Sequence, residues 1–155
     1  IHLREDRRHI QDRDVFRLRE TVTTRLNFEM AAYDEMVEIA LKAKPDEATL
    51  VPEKREELTT EGGLDVVSNW AAVSSAVERL KAGGIHVSLF IDPTAEQVEA
   101  AQKLRADAIE FQTASYSEAK GAAAVAHELD KLRTATAHAV ALGLHVHMGH
   151  GLNYW

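Results

Sequence analysis

The chain has 155 residues, no cysteine, and a formal charge of −7 from 25 acidic against 18 basic side chains. These numbers exclude disulfides, thiolate metal sites and cysteine nucleophiles, and a surface of that sign repels nucleic acid. With 45% apolar and 28% charged residues, the composition is that of a globular chain able to bury a core. No apolar run approaches the ~18 residues of a membrane span, so no membrane partner is expected and a cytoplasmic location is the default.

In chain order, the opening IHLREDRRHI begins with a strand-like triplet at residues 1–3, followed by a run of mixed charge. The first helix is predicted from Asp12, a good N-cap type, with Val15, Leu18 and Val22 on one face. A strand at 25–30 precedes a helix carrying Tyr33, Met36, Val37, Ala40 and Leu41 at helical spacing. The strand at 47–51 enters a long polar loop, VPEKREELTTEGGLDV. Its Thr59, Thr60, Gly62 and Gly63 could offer hydroxyl and backbone donors to an anion. The third helix carries Trp70, Val73, Val77 and Leu80 as core and ends at Gly83-Gly84. After a strand at 85–91, Thr94 and Gln97 form a capping-box pattern for the fourth helix. A strand at 108–112 follows. The Ala-rich fifth helix, about 122–142, presents Val125, Leu129, Leu132 and Val140 inward, stops at Gly143, and leads to a strand at 144–148.

Six strands alternating with five helices predict a parallel α/β sheet. A doubly wound sheet normally carries a G-x-G-x-x-G turn, and this sequence has none. Polar residues instead recur where strands end: His2, Glu29, Glu53, Asp92, Glu110 with Gln112, and His150. That is the pattern of a (β/α)8 TIM barrel, whose active site lies on the C-terminal face of its strands. A whole barrel takes eight strands and ~250 residues. The expectation is therefore one incomplete TIM-barrel domain over 1–155, an internal piece lacking the first and last strands.

Alternation along LNFEM puts Glu29 on the same side as Asn27, and along DAIEFQT puts Glu110 with Ala108 and Gln112. A carboxylate among apolar neighbours has its pKa raised toward the range of a general base. The alternatives are structural ion pairs, with Arg25 or a nearby basic loop for Glu29 and with a neighbouring strand's Arg for Glu110. In HVHMGHGL, His145 and His147 share a face and could bind a divalent metal if further ligands converged. His150, between two glycines just past a strand end, is placed to shuttle protons near neutral pH.

The segments HLREDRRHI, LNFEM, LVPEKREELTTEGGLDV, VSLFID and GHGLNY follow one another in an order and spacing that resembles the pyridoxine 5′-phosphate synthases along all 155 residues. That resemblance implies a condensation of 1-deoxy-D-xylulose 5-phosphate with 3-amino-2-oxopropyl phosphate, giving pyridoxine 5′-phosphate, phosphate and water, with no cofactor or metal. By motif, it assigns His2 and Glu29 as proton acceptors, His150 as proton donor, and Glu110 as a transition-state stabiliser. It places Arg4, His9 and Thr59 on the deoxyxylulose phosphate and Gly151 on the amino-ketone phosphate. It further implies small phosphorylated substrates as the partners and a homo-oligomer at full length. The Asn-x-Asp-His motif of the family's first strand and the phosphate-binding Gly-His turn of its last strand are expected to be missing from this piece, whose one Gly-His is Gly149-His150 in GHGLNY. Two other readings remain beside it: a metal-dependent hydrolase or lyase using His145 and His147, and a non-catalytic remnant that binds a sugar phosphate.

Overall fold

The computed structural model describes residues 1–52 and 62–153. Eleven elements alternate along them: α1 (Asp12–Thr21), β1 (Asn27–Met30), α2 (Asp34–Ala43), β2 (Glu47–Leu50), α3 (Trp70–Ala82), β3 (His86–Ile91), α4 (Ala95–Lys103), β4 (Ala108–Gln112), α5 (Ala114–Glu118), α6 (Ala122–Ala141) and β5 (His145–Gly149). The five strands form one parallel sheet in the order β1-β2-β3-β4-β5. The order never reverses. Right-handed crossovers therefore carry all the connecting helices to the same side of the sheet.

The register sorts the strand residues onto two unlike faces. Phe28, Ala48, Val87 and their successors Met30, Leu50, Leu89, Ile109 and Val146 occupy one face. All of these belong to, or pack against, the same apolar core as Met36, Val37, Val73, Val77, Leu80, Val98 and Leu132 from the helices. The opposite face carries Asn27, Glu29, Glu47, Thr49, His86, Ser88, Phe90, Glu110, Gln112, His145 and His147. One face thus holds the fold together by burying apolar area, and the other collects polar groups.

Several expectations change. Among the described residues there are five strands and six helices, against six and five from the sequence. The segment at residues 1–3 makes only a single parallel bridge, His2 to Glu29, with Glu29 N–H donating to Ile1 O at 2.7 Å and Leu3 N–H to Glu29 O at 3.3 Å. The extra helix is α5, one turn whose five residues carry no apolar periodicity to reveal it. Gln11, not Asp12, is the cap of α1, and the Asp14 carboxylate accepts the Gln11 amide at 2.9 Å. Thr94 does cap α4, accepting from the Gln97 amide. The Gln97 side chain, however, turns to Val66 N and Asp65 and fastens the approach to α3. Trp70 is 41% and Val140 59% exposed, so neither is core; Trp70 is the first residue of α3, and Val140 lies beside the buried stripe that ends at Ala139. Tyr33 is likewise an exposed N-cap, while Val125 and Leu129 are half-buried.

Candidate functional site

Four segments deliver His2, Glu29, Glu110 and His150 to the C-terminal end of the polar face. The bridge between residues 1–3 and β1 sets His2 directly beside Glu29, with Nδ1 3.7 Å from Oε2. Burial, reinforced by the Arg4 guanidinium, lowers the His2 pKa to about 4. The imidazole is thus neutral at pH 7, and its contact with Glu29 is that of a polar neighbour, not an ion pair. Its Nε2 is buried without a hydrogen-bond partner among the described residues. A neutral imidazole with a free ring nitrogen is a proton acceptor.

Glu29 is more than half buried, and burial raises its pKa; the charge of Glu110 adds to the rise and that of His150 opposes it. Arg25 is exposed and makes no pair with it, so that alternative for Glu29 is not formed; the basic run at Lys54 and Arg55 lies outside the described residues. Among the described residues Glu110 pairs with His150 and with no arginine. Its Oε1 lies 3.0 Å from His150 Nδ1, and that hydrogen bond raises the His150 pKa above its ordinary value. Glu29 contributes to the same rise, and His150 in turn acts on His2. The four groups form one electrostatic unit. It contains an imidazole held neutral, an imidazole biased toward its proton, and two carboxylates, the combination that lets acid and base work side by side.

Backbone geometry favours the last pair. A Cβ at Gly149 would meet the Glu110 carboxylate and require the end of that side chain to shift from where it meets His150. Gly151, at φ +87°, packs against Ala114 and Ser117 of α5. Arg4 is half-buried behind the cluster, with Nε 3.5 Å from Asp6 Oδ1. His9 is exposed before α1, and no hydrogen bond or ion pair among the described residues joins it to the cluster. Glu53, Thr59 and Thr60 lie outside the described residues. The Gly63 N–H, read from sequence as an anion donor, already donates to Asp92 Oδ1 at 3.0 Å. Arg7 bridges Asp12 and Glu35, and Arg8 meets Asp6, so these residues of the opening run are structural.

Sequence reading missed two residues of this site. Phe90 stands on the polar face opposite Glu110 and packs its ring on His150, centroids 4.1 Å apart at 42°. Alternation along HVSLFI, which pairs Phe90 with Ser88, was the available signal. Thr113, 1% exposed, donates its hydroxyl to His150 O at 2.6 Å; nothing in its local sequence announces that bond. His145 and His147 do share the polar face and are exposed. Among the described residues no group of three His, Asp or Glu side chains is arranged to hold a metal ion.

Comparison with protein families matches residues 1–155 to "Pyridoxal phosphate biosynthesis protein PdxJ". The chain belongs to this family. Curated relatives named pyridoxine 5′-phosphate synthase agree with it. One from Acaryochloris marina is 59% identical over 155 residues, covering 100% of this chain and 65% of that protein. One from Syntrophotalea carbinolica is 61% identical with the same coverage. One from Geobacter sulfurreducens is 57% identical over 154 residues, 99% of this chain and 64% of the relative. The chain thus spans a little under two thirds of the length of these PdxJ-family relatives. Among the described residues no helix is long and apolar enough to cross a membrane.

Proposed function

We propose that the chain carries the proton-transfer centre of a pyridoxine 5′-phosphate synthase and forms a segment of a (β/α)8 barrel. The product would arise by condensing 1-deoxy-D-xylulose 5-phosphate with 3-amino-2-oxopropyl phosphate. The observation that carries the reading is the convergence of His2, Glu29, Glu110 and His150 on the C-terminal end of one sheet face. An unreversed parallel sheet with a polar face opposite its apolar core supports the barrel.

Imine formation, phosphate loss, hydration and ring closure each remove a proton at one atom and deliver one at another. His2 and Glu29 serve as acceptors, the first because burial keeps it neutral and the second because burial makes it more basic. His150, its proton favoured by Glu110 before transfer, serves as donor, while Glu110 serves as the transition-state stabiliser. Arg4 supplies a planar fork to a substrate phosphate, and His9, Thr59 and Gly151 complete phosphate binding. Homo-oligomerisation and a cytoplasmic setting belong to the same proposal.

The test supplies both phosphorylated substrates to a full-length chain carrying residues 1–155 and follows pyridoxine 5′-phosphate by absorbance. Product formation is expected, and Glu29→Gln should lower turnover by about 10²- to 10⁴-fold. Absence of product from the unaltered chain sinks the synthase reading; near-normal turnover in Glu29→Gln sinks the base assignment alone.

A further inference from the structure

His150 stands at φ +61°, in the left-handed region that a residue with a side chain occupies only when its surroundings hold it there. What holds it is Thr113, the buried residue directly after β4. The Thr113 N–H donates to Gly149 O at 3.1 Å. Its hydroxyl donates to His150 O at 2.6 Å and lies 3.0 Å from Gly149 O. The Gly149 carbonyl belongs to the peptide plane before the His150 Cα and the His150 carbonyl to the plane after it. One residue therefore pins both planes, and with them φ and ψ of His150. Phe90 completes the restraint from β3, its ring against the imidazole at 4.1 Å. Phe90 is fully buried yet stands apart from the helix-facing core, so its packing serves the polar face.

We propose that Thr113 is a positioning residue which, with Phe90, locks His150 in its left-handed conformation so that Nδ1 stays on Glu110 and the ring stays aimed over the polar face. It deepens the synthase reading and rests on it for the catalytic consequence. The charged and titratable groups around the ring are Glu110 on β4, Glu29 on β1, His2 on the bridging segment and His147, register partner of Glu110, on β5. Thr113 and Phe90 carry no charge. They act on His150 only through where they hold it, and loosening them weakens the Glu110 hydrogen bond that favours its proton.

The experiment measures the His150 titration by NMR in the folded protein, together with kcat and KM at full length, for Thr113→Val and Thr113→Ser. Thr113→Val keeps the shape and the N–H but loses the hydroxyl. Its His150 midpoint should fall toward the ordinary 6.5. kcat should drop about tenfold while KM stays within about twofold. Thr113→Ser should restore both. An unchanged midpoint in Thr113→Val, or failure of Thr113→Ser to restore it, overturns the proposal. Should Thr113→Val not fold, Phe90→Leu carries the same test: a midpoint moved toward 6.5 supports the lock and an unmoved one overturns it. If the unaltered chain makes no product, the synthase reading fails while the titrations still decide the lock.

Discussion

Acidic side chains stand at both ends of this sheet, and Glu29 at one end is treated in the opposite way to Asp46 and Asp107 at the other. At the N-terminal end, Asp46 precedes β2 and Asp107 precedes β4, each reaching back to the strand before it. Asp46 Oδ2 accepts Leu26 N–H at 2.8 Å and Arg19 of α1 at 2.7 Å. Asp107 accepts Val87 N–H at 2.9 Å and Lys81 of α3 at 2.6 Å. Two residues ahead of each aspartate stands a left-handed residue, Lys44 or Arg105, that turns the chain out of its helix. The device repeats with a period of two βα units. Backbone donation from Leu26, then Arg19, lowers the Asp46 pKa. At Asp107 burial alone would raise it, but Lys81 and the Val87 amide outweigh burial and lower it. At the C-terminal end, burial raises the Glu29 pKa, and the nearby charges of His150 and the N-terminus only partly oppose it. The difference separates carboxylates that hold strands in register from the one proposed to take a proton.

The comparison can be broken in four places, and Glu29→Gln is the most severe. Turnover should fall by about 10²- to 10⁴-fold, while the protein becomes more stable at neutral pH. The sign follows from linkage. A carboxyl whose folded pKa is raised disfavours the folded state when ionised, and that cost disappears as pH falls through the folded value. Chemical denaturation at pH 7 checks it; a less stable Glu29→Gln would place Glu29 with the structural acids.

Glu110→Gln should act next, by about tenfold or more on turnover. It removes the leading cause of the raised His150 pKa, so the alkaline limb of the pH–rate profile should move to lower pH. A limb that stays in place would separate His150 from the donor role.

Asp107→Asn should spare activity and lower stability by roughly 1.5–3 kcal/mol, the scale of a lost hydrogen bond to a charged group. Because the folded pKa of Asp107 is depressed, its contribution is full above the ordinary 3.8 and fades as pH falls through the folded value. The variant and the parent should therefore converge in stability in acid, as denaturation curves at two pH values would reveal. Asp46→Asn should show the same pattern with the smallest effect, since its carboxylate is open to solvent.

Much of this division was legible in the sequence. Strict alternation along NFEM and AIEFQ put Glu29 and Glu110 on one face, and β4 falls at the predicted residues. Turn signals such as Gly83-Gly84 and Gly143 ended helices where expected. The misses have local causes. Residues 1–3 are strand-like by composition, but at that length they support only one bridge. Val140 keeps helical spacing, yet the buried stripe of α6 runs through Leu132, Ala135 and Ala139, and Val140 lies beside it facing solvent. Gly149 reads as a turn glycine, whereas in the fold it ends β5 with the Glu110 carboxylate packed against it from another strand. Contacts between residues far apart in sequence, such as Thr113 with His150, depend on which strands become neighbours, and no local pattern encodes that.

On this account burial outweighs the charges around Glu29 and keeps that carboxyl ready for a proton, while Asp46 and Asp107, met by backbone and cationic donors, hold the other end of the sheet. Site-resolved NMR titration of the Glu29 and Asp107 carboxyls in one sample tests it most directly. Glu29 should titrate above its ordinary 4.5 and Asp107 below its ordinary 3.8. A Glu29 at or below 4.5, or an Asp107 at or above 3.8, would contradict it.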